Sequence, residues 1–158
     1  MRVGLTATVS FVLICGCAAE VRLPPDLASK PTPAEWKIPT KALFRVSDSR
    51  GMPLGTFTLE LTAIPADTCI AGTWLRADPI ATDLKVVDLS RWWSDESLTP
   101  SYQIVGQLLD VQLNGGRICD DYTQVRAELT PEGAKGVLEA GGIFRGDRYG
   151  NVIVERLR

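Results

Sequence analysis

The stretch Thr56-Phe57-Thr58-Leu59-Glu60-Leu61-Thr62-Ala63 alternates apolar and polar residues without a break. Successive side chains of an extended strand point to opposite faces, so a period of two predicts a half-buried strand. Phe57, Leu59, Leu61 and Ala63 take the inner face, and the threonines and Glu60 the outer one. Thr123-Gln124-Val125-Arg126-Ala127-Glu128-Leu129 repeats the pattern, with Val125, Ala127 and Leu129 inward. Val105, Leu109, Val111 and Leu113 form a third apolar face on what reads as one long strand, interrupted by Gln107. Shorter strand candidates cover 42–47, 70–76, 84–89, 136–140 and 151–157.

Turn chemistry separates these runs. Ser49-Arg50-Gly51-Met52-Pro53, Asn114-Gly115-Gly116, Thr130-Pro131-Glu132-Gly133 and the run 146–150 carry the Gly, Asn and Pro that tight connections need. Spacings of about 8 to 14 residues predict an antiparallel meander. About eight strands and no convincing helix make the fold all-β, a small closed or nearly closed β-barrel. A β-sandwich is the alternative. Closure removes the unpaired edges that would otherwise aggregate. The outer faces of the two cleanest strands carry Thr, Glu, Gln and Arg. A barrel embedded in lipid would turn apolar residues outward.

Residues 1–16 have a different character. Arg2 is followed by an apolar run to Ile14, too short to span a bilayer as a helix, which takes about 20 residues. A basic start, a short apolar run and small residues at its end describe an export signal. Its end, Ile14-Cys15-Gly16-Cys17, resembles the lipobox of bacterial lipoproteins. The resemblance implies cleavage before Cys17, since Gly16 is small and Ile14 is not. It also implies acylation of the Cys17 thiol and loss of Cys15 with the signal peptide. Acyl chains add roughly 0.8 kcal/mol per buried methylene, which gives such an anchor its strength. The following residue is Ala18 rather than Asp, which in that family resembles sorting to the outer membrane, facing the periplasm.

Removing residues 1–16 leaves 142 residues with formal net charge −3, because only Arg2 is lost. That length suits one domain at 41–158. The mild acidity excludes a general nucleic-acid surface. Pro24, Pro25, Pro31, Pro33 and Pro39 mark 17–40 as a lipidated, semi-extended tether. The other reading of this segment has it wrap the domain, with Trp36 and Ile38 docking.

With Cys15 and Cys17 assigned, Cys69 and Cys119 remain. In an oxidising compartment they are expected to form one disulfide. Closing a loop of that length contributes on the order of 4 kcal/mol in the chain-entropy model.

The chain contains no histidine, which removes the usual nucleophilic triads and weakens any zinc reading. The carboxylate doublets Asp95-Glu96 and Asp120-Asp121 read as loop charge, the second also as a candidate calcium contributor. Neighbours on a strand face opposite ways, so neither doublet is by itself an acid–base pair. No catalytic residue, metal site or cofactor is expected. Trp92 and Trp93, in Arg91-Trp92-Trp93-Ser94-Asp95-Glu96, are the candidate binding loop, with plugging of the barrel end as the structural alternative. Gly72-Thr73-Trp74 is similar to the Gly-x-Trp of lipocalins and avidins, though on a later strand. Arg145-Gly146-Asp147 spells RGD, with its glycine explained by a turn.

The expected function is a non-catalytic, membrane-anchored envelope lipoprotein binding another envelope component. The alternatives are a lipocalin-like carrier of a small apolar ligand, which small inward residues such as Ala63, Ala127, Gly136 and Ala140 would suit, and an inhibitor or immunity protein of a periplasmic hydrolase.

Overall fold

The computed structural model describes residues 23–115, 121–142 and 145–157. Eight antiparallel strands close into one barrel in chain order. They are β1 (Thr40–Ser47), β2 (Pro53–Pro65), β3 (Leu75–Thr82), β4 (Ser101–Val105), β5 (Leu108–Gln112), β6 (Asp121–Leu129), β7 (Gly133–Gly142) and β8 (Arg145–Leu157). Closure comes from β8 pairing back onto β1, from Lys41 opposite Leu157 to Ser47 opposite Asn151. The outer wall carries Lys41, Arg45, Arg126, Lys135 and Glu155, all exposed. Arg45 and Glu155 pair across the β1–β8 seam at 2.8 Å.

The interior is filled with side chains. Ala42, Phe44 and Val46 of β1 face Phe57, Leu59 and Leu61 of β2, and all are buried. Phe44 lies opposite Phe57 in register, and their rings stack with centroids 4.5 Å apart. Such a pair contributes about 0.5–1.5 kcal/mol beyond area burial. Leu109, Val111, Val125, Ala127, Leu129, Leu138, Val152 and Val154 complete the wall of the core. Tyr102 is buried, and its hydroxyl donates to the Thr62 carbonyl at 2.7 Å, which satisfies the one polar atom its ring brings in.

Several sequence expectations are corrected. Residues 105–113 are two strands, joined by Gly106-Gln107; Leu109, Val111 and Leu113 point inward, while Val105 is 43% exposed. The run 84–89 is not a strand. Leu84, Val87 and Leu89 are buried because the β3–β4 connection folds its apolar residues onto the core. Within it a short helix, α1 (Leu89–Trp93), forms where none was expected, capped by Asp88, which accepts from the Arg91 amide. The strand expected at 70–76 starts only at Leu75 and runs through Pro79, which sits beside a register shift against β2. Ala63 is exposed rather than inward, because β2 slips register against β3 between Leu61 and Pro65. The run 146–150 lies within β8, not in a turn, and its extra residue is absorbed by a shift opposite Leu138 and Glu139.

The proline-rich segment packs on the barrel from Leu23 onward. Leu27 and Trp36 are buried. The Trp36 indole donates to the Thr130 carbonyl at 2.8 Å. Arg156 stacks over the Trp36 ring at 5.8 Å and donates to the carbonyls of Glu35 and Pro131. The Gln107 amide donates to Leu27 and the Thr32 hydroxyl to Gly106, at 2.8 and 2.7 Å. This segment seals the rim formed by the β4–β5 and β6–β7 turns. The expected tether from 17 to 22 lies outside the described residues.

Gly106 makes that seal possible. Its φ is +61°, and an added Cβ would lie 2.5–2.6 Å from the carbonyl oxygens of Leu27, Ala28 and Lys30. Gly51 also has a positive φ, +81°, but with nothing within 4 Å of an added Cβ. Gly51→Ala therefore pays only left-handed strain, about 1–2 kcal/mol. Gly106→Ala should lose more, about 2–4 kcal/mol, by also undocking the N-terminal segment. Urea unfolding of both variants measures this; equal losses would refute the docking role of Gly106.

Candidate functional site

Two regions carry the residues of interest: the rim capped by α1, and the outer wall over β4–β6. At the rim, Trp93 packs edge-on against Phe57, with centroids 6.1 Å apart and planes at 70°. Its indole donates to the Leu113 carbonyl at 3.1 Å. Trp92 also packs against the core, half-buried. The two tryptophans of the candidate binding loop therefore cap the barrel and offer no free aromatic pair. Asp95 accepts from the amide and hydroxyl of Ser97 at 2.9 and 2.7 Å, and these bonds hold its carboxyl below the usual range. It is a local cap. Glu96 is exposed.

On the outer wall, the β2–β3 connection does not stand off the rim. It folds back across the face of the sheet. Ile70 and Trp74 come to lie with Gln103, Asp110, Gln112, Tyr122, Gln124 and Arg126 around a cleft of about 380 Å³. These polar residues occupy the outward positions of β4, β5 and β6, between the inward Leu109, Val111 and Val125. The Trp74 indole donates to the Ala71 carbonyl at 3.1 Å, which folds the connection on itself. Trp74 is thus buried on the outside of the barrel wall.

The register sets the polar groups in two rows. Gln103 is opposite Asp110, and Asp110 is opposite Arg126. Gln112 is opposite Gln124, and Gln124 is opposite Glu139. Gln112 Nε2 donates to Gln124 Oε1 at 2.8 Å, and Gln124 Nε2 donates to Glu139 Oε1 at 2.8 Å. Both glutamines are buried. Asp110 Oδ1 is also buried, with no hydrogen-bond partner. Burial pushes the Asp110 carboxyl up to about 6; Arg126 and the neighbouring Gln103 side chain pull it down, and Glu139 adds repulsion. A carboxylate oxygen left unpaired out of water is unfavourable, and among the described residues only Ser101 Oγ and Arg156 Nε share that state with Asp110 Oδ1.

A second cleft of about 570 Å³ lies beside it, lined by Ala66, Asp67, Arg76, Glu96 and the segment 99–101. It is open, and its cation Arg76 is already paired with Asp78 at 2.8 Å. Ser101 is buried there with an unpartnered hydroxyl.

Cys69 sits on the connection that covers the outer wall. Cys119, Asp120 and Cys17 lie outside the described residues. Asp121 opens β6 and is exposed, and Asp147 of the RGD sequence is exposed on β8. No group of three or more His, Cys, Asp or Glu among the described residues could hold a metal. Comparison with protein-family models, curated proteins and solved structures finds no match to the chain.

Sequence reasoning missed Asp110 and its glutamine neighbours because outward polar residues on a strand look solvated. The available signal was Ile70 and Trp74, apolar residues in a connection, which need a surface to cover.

The Asp110 carboxyl gives a pH test. In the unfolded chain an aspartate titrates near about 3.9. With a folded value of about 6, folding takes up a proton between those values. The stabilisation is full below the lower one and gone above the higher. It amounts to roughly 3 kcal/mol. Asp83, Asp88, Asp95 and Glu155 are held low by hydrogen bonds and act in the opposite sense, at lower pH. Relative to Asp110→Asn, the native protein should therefore gain stability as pH falls from 7 to 5. A pH-independent difference between the two would refute the assignment.

Proposed function

We propose that this chain is a lipid-anchored protein of the bacterial cell envelope whose barrel binds another envelope component without catalysis. The observation that carries the binding mode is the packed, doubly capped interior. Stacked Phe44 and Phe57, buried Tyr102 and the Trp93 cap occupy the space a barrel carrier would leave for its ligand. The outer wall and its clefts are the surfaces left for recognition. This favours the outer surface over a carrier of apolar ligands. An inhibitor or immunity protein acting through a protruding aromatic loop is likewise disfavoured, since Trp92 and Trp93 pack inward.

The anchor rests on Ile14-Cys15-Gly16-Cys17, with Cys17 as the acylated residue and the outer membrane, facing the periplasm, as the location. The charged residues Lys41, Arg45, Arg126, Lys135 and Glu155 on the outer wall, interspersed with exposed Ile64, Ile80, Ile153 and Leu157, fit a barrel held beside the membrane rather than within it. The non-catalytic reading rests on the absence of histidine from the sequence and on the capping role of Asp95. For the disulfide, Ile70 and Tyr122 border one cleft, and they follow Cys69 and Cys119 by one and three residues. A Cys69–Cys119 bond would pin the β2–β3 connection to the outer wall.

Cys17→Ser should abolish palmitate labelling and leave the chain unprocessed or released from membranes. Unchanged labelling and membrane recovery would remove the anchor. Cys69→Ser should abolish the mobility difference between reduced and unreduced protein, and persistence of that difference would exclude the pairing.

A further inference from the structure

We propose that the outer-wall cleft beneath Ile70 and Trp74 binds a neutral, hydroxyl-rich sugar ring, one or two units of a saccharide, with Asp110, Gln112 and Gln124 as its hydrogen-bonding residues. The proposal names a ligand class for the envelope-binding reading above and rests on it for its biological setting only.

The cleft volume, about 380 Å³, falls within the roughly 300–1,000 Å³ typical of small-molecule sites. Its chemistry narrows the choice. An amide nitrogen carries two N–H groups. Gln112 and Gln124 each spend one on a neighbour, at 2.8 Å in both cases, and each keeps a second. Asp110 Oδ1 beside them is a pure acceptor without a donor. Fixed donors next to a fixed acceptor suit hydroxyl groups, which donate and accept at one atom. Tyr122, Trp74 and Ile70 add the apolar border that the C–H face of a sugar ring requires.

Other ligand classes fit less well. An apolar molecule would leave the amides and the carboxylate unsatisfied. An anion would find one cation, Arg126, but that guanidinium already faces Asp110 across the β5–β6 pair, with Glu139 adding further negative charge. A metal ion lacks ligands, since no group of three or more His, Cys, Asp or Glu among the described residues could hold one. A peptide recognised as an added strand needs a free sheet edge, and β5 and β6 beneath this cleft are each paired on both sides.

The test uses the full chain, purified in a zwitterionic, sugar-free detergent and labelled with ¹⁵N. Cellobiose, maltose and N,N′-diacetylchitobiose are the probes, with trialanine and sodium acetate as controls. At least one disaccharide should shift the side-chain amide signals of Gln112 and Gln124 and the Trp74 indole signal, saturably, while the controls do not. Asp110→Leu removes an unpaired buried oxygen, so it should keep or raise the melting temperature while weakening binding by about tenfold or more. Glu96→Gln, in the neighbouring cleft, should leave binding unchanged. No saturable shift with any of the three disaccharides overturns the proposal, as does equal binding by Asp110→Leu. If Asp110→Leu fails to fold, the shift map of the native protein decides alone, and saturable shifts confined to residues outside this cleft also overturn it. Failure here with intact palmitate labelling refutes the sugar site only; lost labelling with intact binding refutes the anchor only.

Discussion

The pairing of β8 with β1 is the constraint on which the rest depends. It turns a meander into a ring and divides every strand residue into inside and outside. Once that division is fixed, alternation in the sequence becomes a filled core, because each inward residue meets inward residues from the other strands. The stacked pair Phe44 and Phe57 illustrates this, since register alone places the two rings opposite each other. A barrel of this size, lined by Phe, Leu, Val and a buried Tyr, packs to solidity. Recognition then has to use the wall or the rims.

Both rims are closed by the chain itself. At one end Trp93 inserts its ring edge and finds a carbonyl for its indole. At the other, Leu27 and Trp36 cover the turns, with Arg156 bonded to carbonyls on both the segment and the β6–β7 turn. The proline-rich segment is therefore a packed strap over most of its length. Proline suits a strap as well as a spacer, because it prevents helix without requiring that the chain leave the surface. Under the proposed acylation of Cys17, six peptide steps would separate the anchor from Leu23. At about 3.3–3.6 Å each, they would hold the sealed rim within about 20 Å of the bilayer.

The barrel was legible because period two survives wherever one face is buried. Residues 56–61 and 123–129 behave as their alternation says. The misreadings share one cause: an apolar residue signals burial, not the element that buries it. Leu84, Val87 and Leu89 are buried by a connection, and they mimic a strand. Gly106 divides a run that hydropathy joins, because only its backbone freedom announces the hairpin. Pro79 hides a strand by occupying a position next to a register shift, where a missing amide is tolerated. The outer-wall cleft was illegible for a different reason. It arises from a connection crossing strands distant in sequence, and alternation within one strand cannot report what covers its outer face.

That covering is where local and global consistency part. Gln112 and Gln124 are satisfied by each other and by Glu139, so their burial is compensated. Asp110 is not compensated at Oδ1, although a solvated or apolar residue at that outward position would serve the barrel equally well. Closure does not require the carboxylate, since its strand neighbours Leu109 and Val111 supply the inward packing of β5. An uncompensated buried polar atom marks a place where local chemistry and the fold disagree. The same connection brings Ile70 and Trp74 to the border of the cleft that Asp110 lines. An unmet acceptor lining such a cleft is unfavourable for a wall that only encloses a core, and the proposed sugar site rests on that mismatch.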